Sequence, residues 1–127
     1  MERALEIFAV IHFSIVGLSH VFNTSAWVQF FTWLRDRGHA GVLVHGFLSL
    51  GFGSMIVAFH RVWSGIPAIL TVLGCLYLVK ATLCFVLPAT QMRSLSLVSP
   101  ERMWGLRVAG VLFLAIAGLL SYSLWLA

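Results

Sequence analysis

Apolar residues run along this chain in four long stretches, and polar residues gather between them. The stretches extend from about Leu5 to Phe22, from about Ala40 to Phe59, from about Ile66 to Leu87 and from about Trp104 to Leu126. Each is near the roughly 20 residues that an α-helix needs to cross a bilayer. The pattern predicts an all-α integral membrane protein, with residues 1–127 forming a single transmembrane four-helix bundle. The first stretch is not read as a signal peptide, because it is too long and is interrupted by Glu6, His12 and His20.

Residues 25–37, between the first two spans, follow a different rule. Trp27, Phe30, Phe31 and Leu34 recur at helical spacing, while Gln29, Thr32, Arg35 and Asp36 fall largely elsewhere on the helix. That is the signature of a short amphipathic helix lying in the membrane interface. Asn23, Thr24 and Ser25 offer caps for its start, and Gly38 a place to end. The connection from His60 to Gly65 reads as a tight turn, with Pro67 in the first turn of the third span. After Pro88 ends that span, a longer connection leads to Ser99-Pro100-Glu101, which restarts the chain with a cap, a proline and an acid near the positive end of the helix dipole.

Composition agrees with burial in lipid and narrows the function classes. The chain is 61% hydrophobic and only 9% charged, against roughly 25% charged in soluble domains, and its mean hydropathy is +1.01. A soluble enzyme, a disordered segment and a coiled coil are excluded on these figures. A formal charge of +4 spread over so apolar a chain cannot form the basic stripe that nucleic acid requires; the partner is the lipid bilayer. The cations instead report orientation. Arg35, Arg37, Arg93 and Arg102 belong to the first and third connections, with Arg107 just inside the fourth span, and only Arg3 and Arg61 to the other side. The positive-inside rule then sets those connections in the cytoplasm and both termini on the outer side. Cys75 and Cys84 are nine positions apart, on opposite sides of one helix, so an internal disulfide is not expected.

Within the spans, helices gain no hydrophobic drive from one another, so small residues and polar side chains must hold them together. Gly46, Ser49, Gly51, Gly53 and Ser54 make the second span the natural central helix, and Gly74, Gly110 and Gly118 extend the same role to the third and fourth. Ionisable residues at depth are costly and point to function. Here they are His12, His20, His45 and Lys80. His20, His45 and Lys80 all fall in the inner half of the bilayer at helical rise, so one cavity lined by His20, His45, Ser49, Tyr77, Lys80 and Cys84 is the candidate ligand site. For Lys80, a stem that snorkels to the headgroups and an inward-facing ammonium remain alternatives. His20 and His45 are also a formal haem pair, but the histidine intervals do not match between helices as a two-haem bundle requires. No nucleophile elbow, metalloprotease motif or deep carboxylate is present, so no self-contained catalytic motif is read.

The order of features resembles the DoxX-like family of small bacterial four-helix membrane proteins. The similar stretches are Val16-Gly17-Leu18-Ser19-His20, the aromatic interfacial helix ending in Arg37-Gly38-His39, and the second span from Val44-His45-Gly46 through Gly51-Phe52-Gly53. Where such proteins often carry an acidic residue in the second helix, this chain has His45. The resemblance implies a bacterial plasma membrane, with the outer side as the periplasm, and an oxidoreductase component or accessory subunit of a membrane redox system; quinone or lipid is the ligand expected at the cavity. A small proton or solute transporter and a purely structural subunit of a larger complex or homo-oligomer are the alternatives.

Overall fold

The computed structural model describes residues 1–126. These form six α-helices: α1 (Glu2–Phe22), α2 (Thr24–Asp36), α3 (His39–Phe59), α4 (Ala68–Val86), α5 (Pro88–Ser96) and α6 (Met103–Leu126), the last entered through a single 3-10 turn at Pro100–Arg102. Four helices, α1, α3, α4 and α6, are long and apolar enough to cross a membrane. The four spans and the amphipathic helix stand where the hydropathy pattern sets them, with boundaries moved by three residues or fewer.

The spans associate as two intimate pairs, α1 with α6 and α3 with α4, while α1 and α3 touch only lightly. Glycines explain the pairing. A Cβ on Gly17 would sit 2.9 Å from the Gly110 carbonyl oxygen, and one on Gly110 would sit 2.9 Å from that of Gly17. The α3–α4 pair closes in the same way, since a Cβ on Gly53 would lie 3.0 Å from the Gly74 oxygen and one on Gly74 would lie 2.6 Å from Ile56 Cγ2. Close approach of this kind maximises van der Waals contact where lipid offers no alternative drive. Gly51 and Gly118 differ from expectation. A Cβ on either meets open space, so neither serves packing between these spans.

The two pairs join at the end where the termini lie. There Leu5, Ala9 and Phe13 of α1 meet Ile56 of α3, Leu70 of α4, and Ala117 and Leu120 of α6 in one buried cluster. At the opposite end α2 and α5 lie against the spans. Leu34 of α2, Val42 of α3, Cys84 of α4 and Leu95 of α5 form a second cluster there.

Three local details depart from the sequence reading. The stretch after Pro88 is helical, because proline at the first position begins α5 as well as ending α4. Thr24 does not cap α2; its hydroxyl donates to the His20 carbonyl at 2.6 Å and so closes the last turn of α1. Pro67 precedes α4 rather than standing inside its first turn. Gly38 does end the α2 segment, in the left-handed region at φ 64°, and Gly41 beyond it lies so close under the Leu34 carbonyl that no side chain fits.

Candidate functional site

The polar residues of the spans divide between two places. His45 of α3 and Lys80 of α4 line one small cavity of about 170 Å³ beside the second cluster, together with Phe31 of α2, Gln91, Ser94 and Leu95 of α5, and Val98. Four helices thus converge on it. The amphipathic turns of α5 point Gln91 and Ser94 into the cavity, while Leu95, one position further, is buried beneath it. The lining offers an imidazole, an ammonium, an amide and a hydroxyl, and contains no carboxylate.

Lys80 also borders a second depression, a groove on α4 lined by Leu73, Leu76 and Tyr77. Its Nζ lies 6.0 Å from the centre of the Tyr77 ring, at the outer reach of a cation–π contact. The Tyr77 ring in turn packs edge-on against Phe52 with centroids 4.9 Å apart. The lysine therefore stands where a polar cavity and an apolar groove meet.

His20 is elsewhere. Its Nδ1 pairs with the Val16 carbonyl at 2.8 Å, its ring stacks on Trp27 at 4.1 Å, and Phe113 of α6 meets it edge-on. Trp27 is fixed in turn by an Nε1–H bond to Ser19 Oγ at 2.8 Å. From Trp27 the aromatic contacts continue through Phe31 to His45, with centroid separations of 6.0 and 5.8 Å. Two histidines expected in one cavity are thus connected through the rings of α2 and do not face a common space, and the haem pairing of His20 with His45 has no geometric basis.

Cys84 and Ser49 also stand apart from the cavity. Cys84 is fully buried against Gly46, and Ser49 is buried on α3. Of the six expected site residues, His45 and Lys80 share the cavity, and Tyr77 adjoins it through the groove. Gln91 and Ser94 were not singled out from the sequence, and Phe31 was read there only as part of the apolar face of the interfacial helix. The signal for the two α5 residues was the spacing of Met92 and Leu95 on a short polar helix, which nine residues make easy to pass over.

No family model, curated protein or solved structure matches this chain. The site must be read from its own geometry. Around it the cations exceed the acids: Arg35 donates to the Val98 carbonyl at 3.5 Å, and Arg107 reaches Thr24 Oγ1 at 3.4 Å. Asp36 and Glu101 are the acids of this end, and neither lines the cavity.

Proposed function

We propose that this integral membrane protein binds an amphiphile, a quinone or a polar lipid, and serves as an accessory subunit of a membrane redox system. The observation that carries the reading is the position of Lys80 at the junction of a donor-rich cavity and an apolar groove. Such a junction matches a molecule with an acceptor-bearing head and a hydrocarbon tail. The head would take hydrogen bonds from Lys80, His45, Gln91 and Ser94, and bonds from an ammonium are the stronger kind. A quinone carbonyl and a lipid phosphate both fit that donor set. A cationic head does not, for want of any carboxylate in the lining. The tail would lie along Leu73 and Leu76. The resemblance to DoxX-like proteins supports the redox setting.

Mass spectrometry of small molecules carried through purification from native membranes in mild detergent tests this. A quinone or one class of polar lipid should be enriched over the bulk extract. Its occupancy should fall about tenfold in Lys80→Met, the loss expected for one charged hydrogen bond. An extract that mirrors bulk lipid, or an occupancy indifferent to both Lys80→Met and His45→Leu, would overturn the reading.

A further inference from the structure

At the other end of the bundle, three polar side chains are buried together. His60, which follows the last residue of α3, has no exposed surface. Its Nε2 lies 2.9 Å from Glu6 Oε1 on α1, and its Nδ1 lies 2.8 Å from Thr71 Oγ1 on α4. Thr71 Oγ1 also lies 2.7 Å from the Val62 carbonyl, in the turn between α3 and α4.

Counting protons through this array fixes its state. A carbonyl only accepts, so the single hydroxyl proton of Thr71 goes to Val62. The hydroxyl must then accept from His60, which places a proton on Nδ1. A neutral ring with Nδ1–H has a bare lone pair on Nε2, and an ionised carboxylate has no proton to offer. Two lone pairs facing each other at 2.9 Å in a dry site are untenable, so one further proton sits between Nε2 and Oε1. Whether that proton is nearer nitrogen or oxygen, the array holds one more than a neutral imidazole beside a carboxylate.

We propose that Glu6, His60 and Thr71 form a buried proton-binding site whose occupancy decides whether the α3–α4 turn is tied down. When the extra proton leaves to water, the remaining ring proton moves to Nε2 and donates to the Glu6 carboxylate. Nδ1 becomes an acceptor, and the Thr71 hydroxyl rotates to it. Val62 then loses its donor, and the turn is released. The other titratable groups at this end are the Met1 amine, Glu2 and Arg3 on α1, Arg61 in the turn, Cys75 one turn along α4 and Tyr122 on α6. Among the described residues none of these bonds to Glu6 or His60. Glu2 accepts from the Arg61 backbone N–H at 3.3 Å, a second and exposed tie on the turn.

The test is a pH series from about pH 5 to about pH 9 on the full chain in lipid nanodiscs. Nitrogen NMR of His60 reads the tautomer, and hydrogen exchange of the Ala68, Ile69 and Leu70 backbone amides, which bond to the carbonyls of Gly65, Ile66 and Pro67 and close the turn, reads its release once corrected for the intrinsic pH dependence. As pH rises, Nδ1 should lose its proton and the turn amides should exchange about tenfold faster, the factor for one net hydrogen bond. Glu6→Gln supplies an amide N–H to Nε2 and keeps the proton on Nδ1, so its turn should stay protected throughout. Thr71→Val lacks the hydroxyl and should exchange fast at every pH. An Nδ1 that stays protonated across the series in the wild type, or a Glu6→Gln turn that loosens like the wild type, overturns the proposal.

Discussion

At the terminal end, Phe13, Ile56, Leu70 and Leu120 from four different spans are buried against one another, whereas at the interfacial end two short helices stand against the spans and leave a cavity at His45 and Lys80. The polar groups follow the same division. Glu6, His60 and Thr71 spend their hydrogen-bonding capacity on each other and on the Val62 carbonyl, while Lys80, Gln91 and Ser94 make no side-chain hydrogen bond within the described residues and border open space. One end therefore satisfies its polar groups internally, and the other has donors left for a ligand. In lipid this contrast is sharper than in water, because a donor without a partner has no solvent to fall back on.

The largest effect should come from the terminal core. Phe13→Ala removes a ring buried against α6 and α3 and should lower stability by about 3–5 kcal/mol in a reversible unfolding assay in mixed micelles. A loss below about 1 kcal/mol would show that the two pairs are not joined there. His60→Leu should cost about 2–3 kcal/mol in the same assay, since it leaves Glu6 buried without its partner. Glu6→Gln in the same background should recover part of that loss. Gly110→Ala, which forces a methyl towards the Gly17 carbonyl, should cost about 1–2 kcal/mol. Gly118→Ala, in open space, should be neutral or gain up to about 1 kcal/mol from helix propensity. The smallest change belongs to the cavity: Lys80→Met should move stability by no more than about 0.5 kcal/mol while ligand occupancy falls. A Lys80→Met variant as unstable as Phe13→Ala would erase the distinction between the two ends.

Much of this architecture was legible in the sequence because the bilayer imposes a single length scale on apolar runs. Spans ending near Phe22 and Phe59, and an amphipathic run carrying Trp27 and Phe31, follow directly from that scale. Helix α5 was not legible, since nine residues with Gln91, Arg93 and Ser94 among them carry too few apolar positions for a periodicity to emerge. The site was half legible. Depth along a helix put His20, His45 and Lys80 at one level, but depth says nothing about azimuth, and His20 belongs to the α1–α6 pair while the other two belong to α3–α4. Only the contact between pairs decides that, and it depends on which glycines meet. Gly17 and Gly110 meet and Gly118 does not, although all three look alike in one dimension.

The partnership of α1 with α6 also bears on how the protein is made. Helix α3 finds α4 across a short turn, so this hairpin completes as soon as both helices have entered the bilayer. The first helix, by contrast, waits for the last: its glycine seam at Gly17 has no counterpart until Gly110 has been synthesised and inserted. During that interval the face of α1 that carries Gly17 and His20 lies open to lipid, an assembly intermediate that favours holding by insertion machinery or chaperone until α6 arrives.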